Sequence, residues 1–113
     1  MTADWVRLAP DTPAAHAALK QARELTRAGD HALALDVLER MTAAAGQSYA
    51  MRFFRALALL ELGQPEAALA DLDLALTMGP PARDEASLHT QRGVALKDLG
   101  RHDEALAALA KAA

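Results

Sequence analysis

Residues 56–75 read ALALLELGQPEAALADLDLA, and their pattern decides the fold. Ala56 and Leu59 stand seven and four residues before Gly63, and Ala68, Leu72 and Ala75 follow it at spacings of three and four. Such spacings put each set on one stripe of a helix. The glycine can take the left-handed conformation that ends a helix, and Pro65 stands where the first turn of the next helix tolerates a missing N–H. The stretch therefore reads as two antiparallel helices joined by a tight turn.

Sliding the chain along itself uncovers two further copies, ARELTRAGDHALALDVLERM at 22–41 and GVALKDLGRHDEALAALAKA at 93–112. They align on Gly29, Gly63 and Gly100, which are 34 and 37 residues apart. A period near that length marks a helix-turn-helix solenoid. Leu25, Leu59 and Leu96 lie four residues before the glycines, and the small residues Ala22, Ala56 and Gly93 lie seven before. Ala34, Ala68 and Ala105 lie five after, each followed by Leu35, Leu69 or Leu106, and Leu38, Leu72 and Leu109 lie nine after. A small residue on one helix leaves room for the leucine of its neighbour, so each pair can pack closely.

Helices are expected over 13–28, 31–44, 48–61, 65–78, 84–98 and 102–112. Thr12-Pro13 and Gln64-Pro65 read as helix starts, Asp30, Ser48 and Asp84 as N-caps, and Asp103-Glu104 as negative charge at the positive end of the last helix. The extra residues of the third repeat fall within GPPARDEA and are expected to lengthen a surface loop. Asp71 and Asp73 are expected on an exposed helix face.

Composition agrees with an all-α reading. Of 113 residues, 29 are Ala and 19 Leu, against three Val and no Ile. Ala and Leu lose little side-chain freedom in a helix, whereas the β-branched residues that suit sheets are scarce. The length fits one domain. A net charge of −3 with scattered arginines argues against nucleic acid, which calls for a basic patch. With no cysteine there is no disulfide framework and no thiolate metal site. No apolar run approaches the ~20 residues of a membrane span, and the N-terminal residues lack the apolar stretch of an export signal. The cytoplasm is the expected compartment.

The repeated positions resemble the tetratricopeptide repeat family over roughly 15–113. The middle repeat carries the family pattern as Ala56, Leu59, Gly63, Ala68, Leu72, Ala75 and Pro80. The third matches at Gly93, Leu96, Gly100, Ala105, Leu109 and Ala112, and the first, at Ala22, Leu25, Gly29 and Ala34, departs by placing Met41 and Gly46 where Ala and Pro belong. Leu replaces the family's common aromatics throughout. The resemblance implies an α-solenoid of three antiparallel helix-turn-helix pairs, six helices in all, in a right-handed superhelix. Repeats are expected at about 15–48, 49–82 and 86–113 within a domain spanning 13–113, with 1–12 an N-terminal extension or cap.

The chain contains no metalloprotease, nucleophile-elbow or phosphate-loop motif. His31 and His102 share one repeat position, two after the turn glycine, and read as surface residues; His16 and His89 have no sequence-local partner. No catalytic, cofactor or metal role is assigned, and the expected function is not enzymatic.

What the resemblance implies is a scaffold for protein binding, in which the first helix of each pair lines a concave groove for a partner peptide or helix. Transferred residue by residue, the groove positions are Leu19 and Arg23 in the first repeat, Phe53, Phe54, Leu57 and Leu60 in the second, and Thr90, Val94 and Lys97 in the third. His16, Thr26, Arg27, Ala50, Glu61, Ser87, Gln91 and Asp98 are further groove-facing candidates. The family's clamp for acidic chaperone tails is not expected, since Leu19, Arg23, Phe54, Ser87 and Gln91 occupy its places and the chain has no Asn. Trp5, Val6 and Leu8 form an apolar cluster that could cap the first pair. The last helix lacks a polar capping face, so the expectation is either a regulatory fragment of a larger protein or a structural module that forms a homodimer through a stack end.

Overall fold

The computed structural model describes residues 13–45 and 48–112, with side chains from 17–40 and 48–112. The expected 1–12 cap with Trp5, the Thr12 cap, Gly46, and the side chains of His16 and Met41 lie outside the described residues. Six helices follow one another: α1 Pro13–Ala28, α2 His31–Ala45, α3 Tyr49–Glu61, α4 Pro65–Leu76, α5 Ala82–Asp98 and α6 His102–Ala112. Among the described residues there is no strand, and no helix is long and apolar enough to cross a membrane.

The three turns inside the pairs are built alike. Gly29, Gly63 and Gly100 have φ of 86°, 77° and 78°, which an L side chain adopts only under strain. The N–H after each glycine, on Asp30, Gln64 and Arg101, donates to the carbonyl of Leu25, Leu59 and Leu96 at 2.8, 2.8 and 2.9 Å. This closes a Schellman turn. The same three residues then accept from Ala34, Ala68 and Ala105 one turn into the next helix. The recurring Leu, Gly and Ala are thus tied together through the backbone as well as through packing.

Ser48 caps α3, its Oγ accepting from the Met51 N–H at 3.1 Å. Asp84 is not a cap. Helix α5 starts at Ala82 with Pro81 in the N-cap place, and Asp84 lies in its first turn, where Oδ2 accepts the Tyr49 hydroxyl at 2.8 Å. Nor do the extra residues of the third repeat simply lengthen a loop. Helix α5 has 17 residues where α3 has 13: the insertion adds a turn to a helix. The 77–81 connection is longer than its counterpart because α4 stops at Leu76, where the Thr77 hydroxyl donates to the Leu74 carbonyl at 2.6 Å.

Helices pack within each pair, and α2–α3 and α4–α5 contacts join the pairs into a stack of 40 × 33 × 19 Å. Helix α1 also touches α3, and α3 touches α5. The first helices therefore form one row along a common side. A continuous core runs from α3 to α6 through Ala56, Leu59, Ala68, Leu72, Leu88 and Leu96; a smaller one, Ala22, Leu38 and Met51, joins the first pair to α3. Gly93 is buried against α6, where an added Cβ would fall 2.7 Å from Leu109 Cγ. Leu106 and Leu109 are 67% and 41% exposed, although their counterparts Leu69 and Leu72 are buried. No described helix follows α6 to cover them.

The expectation for Asp71 is overturned. The residue is 2% exposed, with Oδ1 accepting from Arg52 Nη1 at 2.6 Å and Oδ2 2.9 Å from Arg55 Nε. Arg52 is itself 9% exposed. A carboxylate so placed is kept in the interior by its counter-charges. Asp73, two residues on, is on the exposed face and pairs with Arg92 of α5 at 2.6 Å.

Candidate functional groove

The row formed by α1, α3 and α5 carries three clefts. The first, of about 290 Å³, lies where α3 and α5 begin. Leu19, Phe53, Phe54 and Leu88 give it apolar walls, and Arg23, Tyr49, Asp84 and Ser87 a polar rim. Phe53 and Phe54 meet edge to face, with centroids 5.2 Å apart and planes at 81°. Each ring also reaches a different core, Phe53 the cluster of α3 to α6 and Phe54 that of the first pair. Packing and cleft are two sides of the same rings.

The Tyr49–Asp84 hydrogen bond ties α3 to α5 across this rim. Because the neutral phenol donates to a carboxylate, that bond, aided by burial and the nearby negative charge, holds the Tyr49 pKa above its ordinary value. The added turn of α5 is what brings Asp84 within reach.

The second cleft, of about 390 Å³, lies toward the helix ends. Leu57, Leu60 and Val94 form its apolar floor; Thr26, Glu61, Gln91 and Asp98 stand around it. His31 also lines it, from the start of α2. A third depression, over α1, is lined by Leu19, Arg23 and Arg27 beside Lys20 and Glu24.

Seven of the nine groove positions read from the sequence therefore line a cleft: Leu19, Arg23, Phe53, Phe54, Leu57, Leu60 and Val94. Thr90 and Lys97 are exposed outside all three depressions, and the Thr90 hydroxyl donates to the Ala86 carbonyl of its own helix at 3.0 Å. Sequence reasoning missed Tyr49, Asp84, Leu88 and His31 as lining residues. Tyr49 carried a usable signal, being the chain's one tyrosine, placed where a first helix of the row begins.

His89 is half-buried and His102 exposed. Among the described residues no three His, Asp or Glu side chains converge to hold a metal ion.

A two-layered stack of helix pairs, each closed by the same glycine turn and together presenting one lined face, defines a helical-repeat solenoid. Residues 50–76 and 86–111 match the family model of the tetratricopeptide repeat, and the chain belongs to that family. No curated protein and no solved structure gives a significant match. The first pair lies outside the matched residues, yet Gly29 repeats the turn geometry of Gly63 and Gly100. Repeats of this family generally mediate protein–protein interaction.

Proposed function

We propose that this chain is a non-catalytic interaction module whose groove, formed by α1, α3 and α5, receives a segment of a partner protein. The observation that carries this reading is the pair of adjoining clefts in which Phe53, Phe54, Leu57 and Leu60 remain only partly covered. An apolar floor with a polar rim is the usual anatomy of a recognition surface. The test is recovery of interacting proteins from cell extract by the wild-type chain, Phe53→Ala, Leu57→Ala, and Leu74→Ala as a control outside the groove. Selective loss with the two groove variants supports the reading; equal recovery by all four overturns it.

One observation favours a second role. Leu106 and Leu109 leave an apolar strip on α6 that could pair with a second copy. Light scattering would then show a dimer that Leu106→Glu dissociates, whereas a monomer at high concentration removes this reading.

A further inference from the structure

The first two clefts of the groove differ in charge. In the first, the rim carries one charge of each sign, the half-buried Asp84 carboxylate bound by the Tyr49 hydroxyl and the exposed cation of Arg23, which offset one another. In the second, Glu61 and Asp98 stand beside Leu57, Leu60 and Val94, and among the described residues neither acid is in an ion pair. Each is the last residue of its helix, α3 or α5. His31, at the start of α2, lines the same cleft, so the negative charge there comes from the two carboxylates rather than from the helix ends. The groove thus runs from an aromatic end whose charges offset one another to an apolar end that carries two unpaired carboxylates.

We infer that the preferred occupant is an extended peptide carrying a bulky apolar side chain for the first cleft and a lysine or arginine for the second. This rests on the groove reading above. The spacing follows from α3. From Phe53 to Leu60 is seven residues, about 10.5 Å along a helix. A peptide in the extended polyproline II conformation rises about 3.1 Å per residue with three residues per turn, so side chains three positions apart share a face roughly 9 Å apart and can fill both clefts. The long side chain of lysine or arginine lays its methylenes over Leu60 and Val94 while its charge reaches Glu61 and Asp98. An acidic residue at that place would meet like charge.

The test is selection of random ten-residue peptides on the whole chain and on a Glu61→Lys, Asp98→Lys double variant, with folding of both checked by circular dichroism. Wild-type selection should enrich a basic residue three positions from a bulky apolar one, and the double variant should enrich Asp or Glu there. Neutralising both acids should weaken a selected peptide roughly tenfold, and less at high salt. Peptides that lose binding with Phe53→Ala but show no charge preference and bind the double variant equally would overturn this inference and leave the groove intact. Peptides indifferent to Phe53→Ala, or no enrichment at all, would overturn the groove reading with it.

Discussion

Removing the Asp71 carboxylate leaves Arg52, 9% exposed, in the interior without its counter-charge. Breaking a buried pair on one side costs roughly 3–5 kcal/mol, whereas an exposed pair contributes about 0–1. Urea unfolding should therefore show Asp71→Asn losing ~3 kcal/mol and Asp73→Asn less than ~1; similar values for both would mean that burial is not what distinguishes them. Tyr49 gives a second residue-level test. Its folded pKa is raised, so its contribution to stability is fully present below the ordinary phenol value of about 10 and is lost as pH rises through the folded value. Since the chain has a single tyrosine, phenolate absorbance reports it directly. Asp84→Asn should move the midpoint down; an unchanged midpoint would show that the carboxylate does not hold the proton. Asp71 and Asp73 look in sequence like one exposed acidic face, and the structure separates them. The signal lay in the repeat alignment: eight after the turn glycine stand Val37, Asp71 and Ala108, so a charge occupies an apolar column.

At the scale of the element, helix ends were legible where they are set locally. Gly29, Gly63 and Gly100 announce left-handed turns, and Ser48 announces a cap, because both depend on neighbours a few residues away. The start of α5 was not legible. Asp84 looks like a cap, but its carboxylate serves Tyr49, 35 residues distant, and no local rule carries that. The contact between α5 and α6 provides the element-level prediction. Gly93→Ala gains about 1 kcal/mol of helix propensity, but its Cβ would fall 2.7 and 2.8 Å from Leu109 Cγ and Cδ2, and overpacking typically costs ~1–3 kcal/mol. Alone it should be neutral to destabilising by up to ~2 kcal/mol; on a Leu109→Ala background it should stabilise by up to ~1. An additive pair of effects would remove the steric explanation for glycine in an alanine column.

Across the whole molecule, stability should follow the distribution of the core. One cluster is continuous from α3 to α6, while the first pair meets it through Leu35 of α2 and through the smaller group of Ala22, Leu38 and Met51. In a stack each pair leans mainly on its neighbours, so an end pair with a small interface can open before the rest. Hydrogen exchange should find amides of α4 and α5 protected nearly to the global unfolding free energy and those of α1 exchanging sooner; uniform protection would mean that the stack opens as one unit. The groove belongs to this scale too. Its lining was largely readable from repeat positions, because equivalent residues of stacked helices share a face. Cleft boundaries were not: they depend on which side chains of separate repeats face the same space, as Leu57 and Val94 do.

Three near-copies of one motif in tandem create an ambiguity of partnership: a first helix could be clasped by the wrong second helix, in its own chain or in another, a recurrent route to misassembly in repeat proteins. The middle pair carries a mark the others lack. Arg52 and Asp71 correspond to Ala18 and Val37 in the first repeat and to His89 and Ala108 in the third. Helix α3 clasped by α2 or α6 would bury Arg52 opposite an aliphatic side chain, and α4 clasping α1 would strand Asp71 opposite Ala18. The cluster works as an address that tells the central pair apart from its siblings, so its value lies less in how firmly the stack holds than in which neighbour each helix accepts.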